Sequence, residues 1–426
     1  MEQVIVTIFL ALFALQFAIE FGLNELNLRQ VAISAAQKAI PDAFRGKIDA
    51  QDYAKSVDYT LTNGRFHRWS EIYGSTILLL VLLSGSLGVV DQWAGQWAES
   101  SALGRYGQGI IFCCAVAVIF TVTGLPTELY STFGIEAKFG FNKTTLGLYF
   151  SDKIKGLILS LVIGVPFLLV VLWLMEIMGS TWWLWAFAFI SLFQLLMIVI
   201  FPTFIAPWFN KFQPLENETL KTRVTALMNR CGFSAKGLFV MDGSKRSAHG
   251  NAYFTGFGAS KRVVFYDTLL AKLSPDEVDA VLAHELGHFK HKHIIKRIIS
   301  LFTLSLAGFA LLGWLTTQAW FYVGLGVQPN LAGTSPAPND GLALLLFLLV
   351  SPVFSFFLTP LMASFSRRHE FEADAYAVEK TSGVDLSSAL LKLYEDNAAT
   401  LTPDPIFAKF YYSHPPASER LAKLGA

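Results

Sequence analysis

Ser274-Pro275-Asp276-Glu277-Val278-Asp279-Ala280-Val281-Leu282-Ala283-His284-Glu285-Leu286-Gly287-His288 decides what kind of molecule this is. Ser274 can N-cap a helix, Pro275 suits its first turn, and Glu277 completes a capping box. Val278, Val281 and Leu282 follow at helical spacing. His284 and His288 therefore share one helix face, about a turn apart. Two imidazoles so placed bind one zinc ion, and Glu285 beside the first can act as general base on water. Just beyond, Ile298–Val323 is apolar and long enough to cross a bilayer. A peptidase motif leading into a membrane helix is a narrow class.

Composition agrees. Of 426 residues, 53% are hydrophobic and only 15% charged, against about 25% charged in ordinary soluble domains. The net charge of +1 gives no footing for a nucleic-acid partner. Cys113, Cys114 and Cys231 make no disulfide framework, so a metal must use histidine and carboxylate. The N-terminal stretch lacks a basic region and a small-residue cleavage site. It reads as a retained helix, not a cleaved signal.

Seven runs approach the roughly 20 residues a span needs: Gln3–Gly22, Ile72–Val90, Gly109–Leu125, Gly156–Met178, Thr181–Ile205, Ile298–Val323 and Leu342–Phe365. The fifth is interrupted near Pro202 and Pro207, and the seventh carries Pro352 and Pro360. Of 33 Lys and Arg residues, only Arg105 lies on the side of the N-terminus. The other 32 lie across the membrane, which puts that side in the cytoplasm. The expected division is 1–206 for spans one to five with their loops, 207–297 for the motif-bearing part, 298–365 for spans six and seven, and 366–426 for the rest of the catalytic domain. The expected fold is an α-helical integral membrane protein with a small cytoplasmic α/β zinc metalloprotease domain. Asn251 to Phe254 is a candidate edge strand, with Arg262 to Tyr266 beside it. Gly324 to Asp340, rich in Pro, Gly and Asn, reads as turns.

A third ligand must converge on the two histidines, and of the eight histidines His291 and His293 are the nearest candidates. His291 shares their face but lies about 10 Å along the axis from His284, and with Lys290 and Lys292 it reads as a solvated basic face. Glu370-Phe371-Glu372-Ala373-Asp374 offers two carboxylates on one helical face, Glu370 and Asp374, with Glu372 pointing elsewhere. Glu370 as ligand and Asp374 as the partner of a ligand histidine form a coherent pair. An acidic surface helix balanced by Arg367 and Arg368 fits the spacing as well. Asp340, which superficially matches the aspartate of site-2 proteases, lies one span away from His288 and so at the far face of the bilayer.

Further segments extend the pattern: Tyr130 to Glu136 with Phe139 to Lys143, Pro207 to Phe212, Ser244 to Ser247, Asn251 to Phe254, Glu370 to Asp374, and Ser413-His414-Pro415-Pro416 with Arg420. Together with the metal motif and the seven spans, the chain resembles the type I CAAX prenyl proteases, multi-spanning membrane zinc endopeptidases. The likeness runs from the third span to the C-terminus. It implies zinc held by His284, His288 and Glu370, with Glu285 as base and Asp374 behind a ligand. It implies Asn251 in the substrate groove, and His414 and Arg420 stabilising the transition state and holding substrate. It implies seven tilted helices around a water-filled chamber, for which Glu20 and Glu128 are candidate lining residues. The partners implied are a peptide or protein substrate, prenylated in the family, and the lipid bilayer; no oligomeric state follows.

The chain lacks a long charged insertion between Leu270 and His284, and an ER retrieval tail. That brevity suggests a bacterial inner-membrane member, where prenylated substrates would be scarce and membrane quality control is the alternative role. A channel or transporter with structural zinc would need a fourth protein ligand; three candidates leave a position open for water.

Overall fold

The structure, a computed structural model, describes residues 2–37, 40–100, 104–234, 237–255, 262–329 and 339–425. Most of the expected turn segment between Gly324 and Asp340 lies outside them; Gly324 to Gly326 form a turn.

Among the described residues, six helical stretches are long and apolar enough to cross a bilayer: Val6–Ala36, Gly107–Glu136, Leu146–Ile177, Gly179–Trp208, His293–Leu315 and Asp340–Lys380. Ile154, Val162, Leu192, Phe204, Ile299 and Leu348 stand exposed along them. That is where lipid belongs, since water would not tolerate so continuous an apolar surface. The protein is a multi-pass membrane protein.

The second span departs from the uninterrupted run expected over Ile72–Val90. Ala50–Leu83 and Ser86–Glu99 meet at a 62° bend. Gly85 caps the second piece at φ 78°, a left-handed conformation that glycine adopts without steric cost. The sixth span also stops short of Val323. Its helix ends at Leu315, where the Thr316 and Thr317 hydroxyls donate to the carbonyls of Gly313 and Trp314. Ala319–Val323 forms a separate short helix. Near Pro202 the fifth span widens into a π turn over Phe201–Ile205 and tightens into a 3-10 turn over Ala206–Trp208.

The part outside the spans is built on four strands: β1 (Phe212–Pro214), β2 (Gly237–Met241), β3 (Ala252–Thr255) and β4 (Arg262–Tyr266). Their order is β1-β2-β4-β3. β2 and β4 run parallel, while β1 and β3 pair antiparallel to their neighbours. β3 thus lies at an edge of the sheet.

The helix Pro275–Lys290 packs under this sheet, and the helix Thr359–Lys380 crosses that helix. One core takes Val263, Phe265, Leu282 and Leu286 from the first stretch and Tyr376, Ala377 and Leu386 from the second. The capping box at Ser274 and Glu277 forms. Glu277 is also bound by Ser388 and Lys392, tying the start of the motif helix to the later stretch.

The loop between the third and fourth spans hooks onto this domain. Asn142 bridges Ser247. The Arg246 guanidinium donates to both carboxylate oxygens of Asp152 and to Asn210 Oδ1.

Candidate active site

Two helices bring the expected ligands together, and a missing side chain allows it. A Cβ on Gly287 would lie 2.9 Å from the Cα of Ala373 and 3.1 Å from its carbonyl oxygen. The backbones touch there, so His284 and His288 on one helix face Glu370 and Asp374 on the other.

His284 Nε2 lies 3.2 Å from His288 Nε2. Glu370 Oε2 is 3.4 Å from the first nitrogen, and Oε1 is 3.4 Å from the second. Ligand atoms on a tetrahedral zinc at about 2.0–2.1 Å are themselves about 3.3 Å apart. The two Nδ1 atoms are engaged elsewhere, at 2.8 Å from Asp374 and 2.9 Å from His293. The two Nε2 lone pairs therefore face each other, an arrangement that a cation between them makes favourable. Glu370 Oε2 is buried with no hydrogen-bond partner, an expensive state for a carboxylate unless a cation neutralises it. Donor type, spacing and the orphaned oxygen all fit a metal ion.

Electrostatics point the same way. Burial alone would lower His284, but the Asp374 carboxylate on its Nδ1 and the nearby Glu370 carboxylate pull it up. Burial, with the charge on His284, pushes His288 down to about 4. The carboxylates thus draw positive charge into the site. Burial pushes Glu285 above the usual carboxylate range, which suits a group that must take and return a proton near neutrality.

His414 is largely exposed, with Nε2 3.4 Å from Glu370 Oε1. It is the imidazole on the open side. Arg367 donates to the carbonyl of Tyr412 at 2.8 Å, pinning the loop that carries it. Arg420, expected against substrate, is instead buried. Its guanidinium binds both oxygens of Asp374, at 2.8 and 2.5 Å, and lies 3.8 Å from Glu370. It faces the back of the site.

Asn251 is exposed just before β3, and its side chain accepts from the Ala252 N–H. His291 caps the motif helix, exposed, and is not part of the ligand group. Asp340 heads the last membrane stretch, whose other end carries Glu370. Glu20 lines a recess of about 540 Å³, and Glu128, paired to Lys153, lines another of about 830 Å³.

Gly287 and Arg367 were not singled out from sequence for these positions, and His293, a candidate third ligand by sequence, lies outside the ligand group and against His288 Nδ1. A helical glycine four residues before a histidine-rich turn carries no signal until its neighbour is known.

Comparison with known proteins fits this geometry. Residues 30–211 match the model of the CAAX prenyl protease N-terminal region, with five membrane helices, and residues 214–426 match peptidase family M48. A CAAX prenyl protease 1 homolog of Arabidopsis thaliana is 35% identical, covering 94% of this chain and 93% of its own. CAAX prenyl protease 1 of Saccharomyces cerevisiae is 32% identical over 96% and 92%. The crystal structure of S. mikatae Ste24p superposes with a TM-score of 0.90 at 32% identity, over 98% of both chains. The chain belongs to peptidase family M48, as a multi-pass membrane metallopeptidase of the CAAX prenyl protease type.

Proposed function

We propose that the chain is a zinc endopeptidase acting on the C-terminal region of prenylated peptides, with its catalytic domain on the cytoplasmic face. The observation that carries the metal assignment is the convergence of His284 Nε2, His288 Nε2 and Glu370 at 3.2 to 3.4 Å. Two histidines with one carboxylate are a zinc donor set that leaves one position open, as catalysis requires. When bound, the ion supplies Lewis acidity toward the scissile carbonyl and acidifies water.

The chain's own residues do the rest. Glu285 takes the proton from the attacking water and returns it to the leaving amine. His414, on the open side of Glu370, donates to the oxyanion that develops on the carbonyl, an interaction of a few kcal/mol in comparable sites. Arg420 acts from behind, holding Asp374 so that His284 keeps its orientation. Substrate adds as an extended segment to the free edge of β3, after Asn251, because an edge strand presents unpaired backbone groups.

The cytoplasmic placement rests on the charge asymmetry, 32 of 33 Lys and Arg residues on one side. The prenylated substrate rests on what the relatives are named for. The absence of a long insertion before His284 supports a bacterial source.

Two measurements test this. Purified Glu285→Ala should retain one zinc per chain and lose turnover; cleavage at the wild-type rate would sink the mechanism. Mass spectrometry of products from matched prenylated and plain peptides tests the substrate. Cleavage of the prenylated peptide alone supports the proposal, and equal cleavage of both favours a quality-control role.

A further inference from the structure

A histidine ligand is defined only when its other nitrogen has a partner. That partner sets which nitrogen carries the hydrogen and which plane the ring occupies. His284 has a carboxylate there, Asp374. His288 does not. Its Nδ1 lies 2.9 Å from the Nδ1 of His293, and the Nε2 of His293 lies 2.8 Å from Glu372 Oε2.

The chemistry of the donors assigns the hydrogens along this chain. A carboxylate only accepts, so His293 Nε2 carries a hydrogen and donates it to Glu372. Neutral His293 then presents a lone pair at Nδ1. His288 Nδ1 must donate to that lone pair, which leaves its Nε2 lone pair aimed between His284 and Glu370. The order Glu372, His293, His288 is thus a relay that places a carboxylate behind the second ligand, one imidazole further away than Asp374 stands behind the first.

His293 is built for this. It is 4% exposed, and the His369 ring stacks on it at 3.9 Å and 13°. In an unbroken helix a residue five positions after His288 would point about 140° away from it. The motif helix instead ends at Lys290, and a new one starts at His293. Lys292 between them adopts φ 56°, a left-handed conformation unusual for a side chain with a Cβ. That turn swings His293 back toward His288.

We infer that His293, backed by Glu372, is the positioning residue that fixes the tautomer and ring plane of His288. The inference rests on His288 being a metal ligand, as proposed above.

The test uses the purified full chain and measures zinc affinity by competition with a chromophoric chelator, alongside thermal melting of the metal-free protein. His293→Phe keeps a stacked ring but removes the acceptor. It should weaken zinc binding about 10- to 100-fold with little change in metal-free melting. His293→Gln offers a carbonyl to His288 and an amide to Glu372, and should restore most of the affinity. Glu372→Ala, at a half-exposed position outside the core, should weaken binding toward the 10-fold end and covers the case in which His293→Phe fails to fold. Wild-type zinc affinity in Glu372→Ala and either His293 variant would overturn the relay, as would equal losses in His293→Phe and His293→Gln. His288→Ala separates the two claims. If it keeps zinc, the ligand assignment fails; if it loses zinc while the His293 and Glu372 variants do not, the relay alone fails.

Discussion

Replacing Gly287 with alanine should disable the enzyme while leaving it folded. The new Cβ would lie 2.9 Å from Ala373 Cα, 3.1 Å from its carbonyl oxygen and 3.2 Å from Tyr376 Cβ. Carbon atoms rest at about 3.5–4.0 Å, so the two helices must separate by about 0.6–1 Å. Glu370 sits one turn from Ala373 on the displaced helix, and the histidines sit on the other. Their 3.4 Å separations would open by a similar amount, whereas metal sites tolerate distance errors of about 0.2 Å. A misplacement near 1 Å is enough to cost on the order of 100-fold in rate. Stability changes less. Overpacking costs about 1–3 kcal/mol, and exchanging glycine for alanine inside a helix returns about 1 kcal/mol. Metal content by plasma mass spectrometry, kcat/KM on a peptide and a thermal melt together read this out. The clash is with backbone, so adding Ala373→Gly should not rescue it. Wild-type metal content and kcat/KM in Gly287→Ala, or full rescue by Ala373→Gly, would refute the reasoning.

Three further outcomes follow from the packing. Arg420→Ala leaves buried Asp374 with His284 as its remaining partner and should cost up to about 3–5 kcal/mol, visible as a lower melting temperature and lost metal; Arg420→Lys should recover little, because one ammonium cannot reproduce the bidentate contact. Glu277→Ala should cost about 1–3 kcal/mol, since it removes the capping box and leaves Lys392 and Ser388 without their acceptor. Burial opposes its charge, but hydrogen bonds from Lys392, Ser388 and the Ser274 N–H win and hold Glu277 below its ordinary value of 4.5. Its stabilisation is therefore complete above pH 4.5 and lost as pH falls through the lower folded value, so denaturation midpoints of wild type and Glu277→Ala should converge on acidification. Arg246→Ala releases Asp152 and Asn210 together, and protease nicking near Asn142 should rise while the metal content stays at one ion per chain.

The parts of the site that were legible in the sequence are those fixed by local spacing. Ser274 and Glu277 mark a helix start three residues apart, and His284 and His288 share a face four apart; both follow from helix geometry alone. Glu370 and Asp374 are likewise a legible pair, but that they face the histidines depends on a helix crossing that only Gly287 permits, and no spacing encodes a crossing. The link from His293 to His288 was hidden for a related reason. A five-residue offset is wrong for a helix, and only the left-handed turn at Lys292 makes it right. The resemblance names Arg420 for the transition state and substrate, and no spacing shows that its guanidinium is buried against Asp374. Among the spans, apolar length identified where the chain crosses but not where a crossing bends, since Ser84-Gly85 sits within an otherwise continuous apolar run.

The crossing of the two helices has a consequence for how the protein is made. His284 and His288 precede the stretch His293–Leu315, Glu370 and Asp374 lie at the far end of the last stretch, Asp340–Lys380, and Arg420 comes later still. During synthesis the first pair emerges from the ribosome with no acid to face. Both remaining spans must enter the bilayer, and the following segment must return to the same side, before any ion can be gripped. The polypeptide is thus inert toward its neighbours through most of translation and insertion. Proteolytic competence therefore waits on the last two stretches, and a chain in which either fails to insert keeps the histidines apart from Glu370.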